Sequence, residues 1–178
     1  MELFKLAKAE LLRSNADRRH PFLYFTLATF GQYPEARTVV KRHAGQDLSL
    51  LFFTDSRTPK VSQIKKNAKV SALFYHPKKK LQVRMKGLAE LIGKGDESYD
   101  QFLEQIKNSR ALKDYTARQA PGSEVGDESE IVFGEEAHFI AIKIKPAYMD
   151  VLRLGREQHE RRRYTLEGEN WEEAVLVP

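Results

Sequence analysis

The chain contains no cysteine. That absence excludes disulfide frameworks, thiolate metal sites and a cysteine nucleophile. No apolar run approaches the length of a membrane span. No serine stands in a nucleophile-elbow pattern. There is no glycine-rich dinucleotide fingerprint and no P-loop, which argues against classical nicotinamide or nucleoside-triphosphate chemistry. The five histidines are His20, His43, His76, His138 and His159. None stands at metal-ligand spacing from another, so no metal is expected. The first residues carry Glu2, Lys5 and Lys8 among their apolar neighbours, unlike a signal peptide. A cytoplasmic location is therefore expected. There is no internal repeat and no long low-complexity linker.

What is present suffices for one core. The chain has 178 residues, of which 41% are hydrophobic, so a single domain over residues 1–178 is expected. Charged residues make up 31% and the formal net charge is +5. A mild basic excess fits an anionic ligand, nucleic acid or simply a solvated surface.

Leu3, Phe4, Leu6, Ala7, Leu11 and Leu12 recur at helical spacing and predict an amphipathic helix over Met1–Arg13. Strands are expected over Phe22–Thr29, Ala36–His43 and Leu48–Thr54. Thr58-Pro59 then starts a short helix running to about Asn67. Lys69–Tyr75 and Leu81–Ile92 read as strands. In the second, Leu81, Val83, Met85, Ala89 and Leu91 alternate with polar Gln82, Arg84 and Lys86, so one face is buried and the other is wet or ligand-facing. Asp96 is placed to cap a helix carrying Tyr99, Phe102, Leu103 and Ile106. Arg110–Arg118 reads as a second helical piece and Ala120–Glu130 as a surface loop. Ala137–Lys145, Ala147–Leu154, Glu160–Leu166 and Trp171–Val177 read as four closing strands. The fold class is mainly β with helices (α+β). It is an antiparallel barrel-like sheet with an N-terminal helix and helices between its two halves.

The stretch Arg37–Gly87 concentrates cations, hydroxyls and an amide on short strands. Arg37 and Lys41 share one strand face, and Arg42 falls on the other unless a bulge intervenes. An arginine fork matches a phosphate bidentately, but on this strand alone an exposed cationic strand is the better explanation. Thr54-Asp55 followed by Thr58-Pro59-Lys60 is more specific. It ends a strand and opens a helix with a lysine in its first turn, where a bound phosphate would offset an unfavourable charge. Gln82 offers both a donor and acceptors to a ring edge, or to solvent. His159, Arg161, Arg162, Arg163 and Tyr164 interleave cations with an aromatic, as in nucleic-acid binders. A strand divides them between two faces, however, so nucleic acid ranks last.

Together and in this order, these segments resemble the pyridoxamine 5'-phosphate oxidase-like family of FMN-binding split barrels. The resemblance runs from about Phe22 to Pro178. It rests on Arg37-Thr38-Val39-Val40, Phe52-Phe53-Thr54, Lys60 with Gln63-Ile64 and Asn67, and Gln82 through Gly87. It returns in His159-Glu160-Arg161, Tyr164 and Trp171. It implies an antiparallel split β-barrel, FMN as cofactor, and a homodimer with FMN at the subunit interface. No membrane partner is implied. Arg37 and Lys60 resemble the pair that holds the FMN phosphate. Thr38, Val39 and Val40 continue that strand, and Phe53 and Thr54 resemble the segment along the ring and ribityl chain. Gln82 resembles the amide at the isoalloxazine edge, Gln119 a glutamine at the phosphate end, and Arg161 an arginine near the pyrimidine side. Arg42 replaces a lysine associated with substrate. Pro59 replaces a second phosphate-binding arginine, Ala120 a serine, and Val151 a ring-packing tryptophan. Glu157 stands where the true oxidase has a substrate-contacting arginine, and an acid there repels a phosphorylated amine. The FMN half of the site therefore matches better than the substrate half. An FMN-dependent oxidoreductase with unassigned substrate is expected. The alternatives are the true pyridoxine/pyridoxamine 5'-phosphate oxidase and a non-catalytic flavin- or haem-binding barrel.

Overall fold

The computed structural model describes residues 1–178. It is mainly β: eight strands form one antiparallel sheet, joined by three α-helices and short 3-10 turns. Helix α1 spans Glu2–Arg13. Strands β1 (Tyr24–Phe30), β2 (Pro34–Ala44) and β3 (Leu50–Asp55) form a meander. Helix α2 (Pro59–Lys66) leads to β4 (Lys69–His76) and β5 (Leu81–Ile92). Helix α3 (Tyr99–Lys107) precedes β6 (Phe139–Arg153), β7 (Glu160–Glu167) and β8 (Asn170–Leu176). The sheet order is β3-β2-β1-β4-β5-β6-β7-β8, and β3 also pairs with β6. That extra pairing closes six strands into a barrel and leaves β7 and β8 as an extension.

The main departure from the sequence reading is β6. Two strands were expected on either side of Pro146. The structure has one strand of 15 residues running through it. On one edge β6 pairs with β3 as far as Ile144↔Leu50, then with β7 from Tyr148↔Thr165. Pro146 sits in the gap between these ladders, where its missing N–H costs no pairing on that side. On the other edge it faces Gly87, where the β5–β6 register shifts. A Cβ at Gly87 would collide with the Lys145 carbonyl, so this close approach needs glycine.

Two smaller expectations also change. Asp96 does not cap α3, whose N-cap is Ser98. Its carboxylate instead accepts from Gly93 N–H at 2.6 Å and closes the turn after β5. The piece after α3 is a 3-10 stretch over Arg110–Tyr115 and stops short of Arg118.

The barrel interior holds Phe25, Leu27, Phe52, Phe74, Val83, Met85, Ile142 and Val151. Helix α1 closes one side with Leu3, Ala7 and Leu11, and Phe4 packs on Tyr164 and Trp171 at 5.1 and 5.7 Å between centroids. A second cluster, Tyr99, Ile106, Tyr115, Phe139 and Ala141, holds α3 to the outside of the barrel. Burying such a large aromatic or aliphatic side chain contributes roughly 1.5–3 kcal/mol.

The barrel also buries a cation. Lys41 is 1% exposed, and its Nζ donates to Asn15 Oδ1 at 2.7 Å. Burial pushes its pKa down from 10.5 to about 8. The folded state therefore binds this proton less well than the unfolded chain. Its cost to stability is fully present below about 8 and relieved as pH rises toward 10.5. Lys41→Met is expected to be more stable near neutral pH by roughly 1–3 kcal/mol. In chemical denaturation from pH 7 to 10, the wild type should close that gap on the variant.

Candidate functional site

Two groups of the expected residues assemble, on opposite faces of the sheet. The first lies where α2 covers one end of the barrel. On β2, Arg37 pairs with Leu27 and Glu35 with Thr29, so both side chains share the inward face of the β1–β2 hairpin. Arg37 Nη1 donates to Thr29 Oγ1 at 2.5 Å, and Nη2 donates to Glu35 Oε2 at 2.8 Å. Helix α2 begins at Pro59 with Thr58 as N-cap. The Thr58 hydroxyl does not cap the helix; it donates to the Asp55 carbonyl at 2.8 Å. Lys60 in the first turn donates to Thr54 Oγ1 at 3.0 Å. Its pKa is lowered, first by burial and then by the charge of Arg37, while Asp55 pulls the other way. Two cations thus face one another beside a helix N-terminus that no side chain caps.

Gln63, one helical turn beyond Lys60, completes this cradle. It is 8% exposed. Its Oε1 accepts from Thr29 at 2.5 Å and its Nε2 donates to Glu35 Oε1 at 2.7 Å. The sequence signal for Gln63 is its three-residue spacing from Lys60, which puts both on one helix face.

The second group lies on the outward face. Gln82 pairs with Leu152, and Leu152 with Arg161, so Gln82 and Arg161 share one row across β5, β6 and β7. The next row joins Thr38, Thr26, Leu73, Arg84 and Asp150. Asp150 is fully buried and serves two arginines. Arg84 Nη2 donates to it at 2.5 Å, and Arg161 donates twice, at 3.1 and 2.9 Å. Burial alone would raise the Asp150 pKa, but hydrogen bonds from Arg161 and Arg84 outweigh it and hold the carboxyl below its usual value. Arg84 Nε is buried without a partner. Thr38 and the half-buried Val40 face outward on β2, whereas Val39 packs against the core.

Other expected residues are engaged within the fold. Phe53 packs against Phe102 and Phe139 at 5.5 and 5.1 Å, in the cluster under α3. A bulge between Lys41 and His43 redirects Arg42, whose guanidinium lies 5.5 Å from the Phe53 ring centroid. The Gln119 amide donates to the Glu130 carbonyl at 2.6 Å and accepts from Val132 N–H at 3.2 Å, so it ties the surface loop together. Arg57, which the sequence did not single out, pairs with Asp55 at 2.7 Å. It also donates to the carbonyls of Ala117 and Arg118 at 2.7 and 2.9 Å and straps that segment beside the cradle. Val151 lies in the barrel core.

The tertiary structure also joins residues that spacing could not connect. Glu10, His20 and His76 bring ligand-type atoms within 4.8 Å of one another, all buried. Phe22 N–H donates to His20 Nδ1 at 3.0 Å and Lys79 N–H to His76 Nδ1 at 3.3 Å. Each ring therefore keeps its proton on Nε2, directed at the Glu10 carboxylate. Lys79 Nζ reaches the other oxygen at 2.7 Å. The cluster anchors α1 to the barrel by hydrogen bonds.

The split barrel sets the class: an FMN-binding domain of the oxidase-like kind. The family model described as "Pyridoxamine 5'-phosphate oxidase, FMN-binding domain" matches residues 4–93, and the chain belongs to that family. It is 29% identical over 167 residues to the pyridoxine/pyridoxamine 5'-phosphate oxidase of Polynucleobacter asymbioticus, covering 86% of this chain and 78% of that protein. Two crystal structures share the fold. One is a pyridoxamine 5'-phosphate oxidase-related, FMN-binding protein from Nostoc punctiforme, with TM-score 0.78 and 24% identity over 98% of this chain and 97% of that one. The other is PhzG from Burkholderia lata in complex with tetrahydrophenazine-1-carboxylic acid, with TM-score 0.76 and 18% identity over 98% and 92%.

Removing the Asp150 carboxylate would leave two arginines facing each other. Asp150→Ala is expected to cost about 1–3 kcal/mol at pH 7, with Arg84 and Arg161 partly exposed. Because the folded pKa is depressed, this stability is present above the unfolded value of about 3.9 and is lost as pH falls below it. Urea unfolding of both proteins should show the difference shrinking in acid.

Proposed function

We propose that this protein is an FMN-dependent oxidoreductase of the pyridoxamine 5'-phosphate oxidase-related group, acting as a single-domain homodimer in the cytoplasm. The observation that carries the reading is the Arg37–Lys60 cradle. Two neighbouring cations, one with a lowered pKa, lie beside an uncapped helix N-terminus. A phosphate there would engage Arg37 and Lys60 together at the start of α2. Family membership points to FMN as the bearer of that phosphate.

In this reading Arg37, Lys60 and Thr54 hold the phosphate. Gln82 presents its amide to the ring edge. Arg161, kept in place by Asp150, would set a positive charge near the ring when the cofactor is bound. The cofactor supplies the hydride or electron transfer; the chain binds it, orients it and tunes its charge. The cradle and the Gln82–Arg161 row lie on opposite sheet faces, which supports a site completed by a second subunit. The outward face itself favours an interface. Phe30 and Leu88 line an apolar groove of about 490 Å³, Tyr24 and Tyr75 line a smaller pocket of about 220 Å³, and all four are at least half exposed. Exposed large apolar side chains gathered on one sheet face favour a protein contact. The Arg84 Nε lacking a partner lies on the same face.

Glu157 favours a substrate other than a phosphorylated amine, by charge repulsion. Rapid aldehyde formation from pyridoxamine 5'-phosphate would overturn that part of the reading.

Purified protein is expected to show a flavin absorption spectrum and to release FMN on denaturation. Arg37→Ala and Lys60→Ala should each weaken FMN binding by about 10- to 100-fold, from lost charge-assisted bonds of roughly 1.5–3 kcal/mol. Riboflavin affinity should stay unchanged in both variants. A colourless protein that binds no added FMN would sink the proposal.

Analytical ultracentrifugation should give twice the chain mass of 20.5 kDa. Tyr75→Glu together with Leu88→Glu should give a monomer with weakened FMN binding.

A further inference from the structure

The phosphate cradle already contains an anion from the chain itself. Glu35 Oε2 accepts from Arg37 Nη2 at 2.8 Å, and its Oε1 accepts from Gln63 Nε2 at 2.7 Å. Arg37 thus directs half of its fork at a carboxylate two residues away on the same strand face. The Glu35 side chain is 42% exposed, so it can swing into water without opening the core. Lys60 has no carboxylate of its own: its hydrogen bond runs to the Thr54 hydroxyl. The two cations are therefore unequal before any ligand arrives. Gly31 leaves room for this arrangement, since a Cβ there would press on Glu35 Oε1 and Gln63 Nε2.

We propose that Glu35 is the internal counter-ion of this cradle. It holds Arg37 and Gln63 in place in the unliganded protein and must give up Arg37 when a phosphate monoester binds. It thereby sets the affinity of the site and makes it select for a dianion. A monoanionic carboxylate at Arg37 is outcompeted by a phosphate that engages Arg37, Lys60 and the α2 N-terminus together. A ligand lacking phosphate has nothing to exchange for it. The inference rests on the FMN reading above and adds to it a residue that opposes binding.

The test is Glu35→Gln, which keeps the shape and the acceptor for Gln63 but removes the charge. FMN affinity, read by flavin fluorescence quenching on the apoprotein, should rise roughly 3- to 10-fold, while riboflavin affinity stays the same. The variant's apoprotein should melt at a lower temperature, because Arg37 loses its partner, and should gain a larger upward shift on adding FMN. Glu35→Ala should show the same FMN preference if Glu35→Gln folds poorly. Unchanged or weaker FMN binding in both variants, with Lys60→Ala still losing FMN, would overturn the proposal and make Glu35 a contact that coexists with the phosphate. An equal rise for FMN and riboflavin would also overturn it, since the effect would then not act on the phosphate. If Arg37→Ala and Lys60→Ala both leave FMN binding untouched, the cofactor reading itself has failed.

Discussion

Strand β6 is shared by three neighbours, and the architecture depends on that sharing. Its first half pairs with β3 and closes the barrel; its second half pairs with β7 and builds the extension. All along its other edge it pairs with β5. One strand can change partners this way only where an edge is briefly free, and Pro146 occupies that place. The changeover puts Asp150 on the extension side, within reach of arginines from both β5 and β7. The row that holds Gln82 and Arg161 exists because β6 spans both halves.

Charge is handled unevenly across the molecule, and the unevenness is informative. Two buried carboxylates, Glu10 and Asp150, each collect several cationic or N–H partners and are held ionised by them. These are structural ties, one fastening α1 and the other fastening β7. Two lysines, Lys41 and Lys60, are instead pushed toward the neutral form by burial. Lys41 is enclosed with an amide partner and reads as a cost of the fold. Lys60 stands at a helix start beside a second cation, where a bound anion would offset the cost. Position relative to a helix end, more than the size of the shift, separates the two.

Much of the architecture was legible in order along the chain. Period-two alternation in Leu81–Ile92 and the Thr58-Pro59 helix start are local features, and local features survive into the fold. The misreadings came from features whose meaning is set by distant residues. Pro146 looks like a strand end unless one knows that neither β3 nor β7 needs its N–H. Asp96 looks like a cap until Gly93 claims its carboxylate. Glu10 was invisible because an amphipathic pattern counts only apolar residues, and three of its partners, His20, His76 and Lys79, lie ten or more positions away. The side chains of Phe53 and Gln119 are taken up by a core cluster and a loop, which their place in a matched motif did not reveal.

By itself the sequence determined the family and the mainly β class, because strand alternation, a strand-to-helix turn and a motif in order are encoded by neighbours. Only the tertiary structure decided which face each cation occupies, that Glu35 and Gln63 complete the cradle, and that Asp150 holds Arg161. Those facts follow from register between strands far apart in the chain, and register is set by packing of the whole sheet rather than by any one stretch of it.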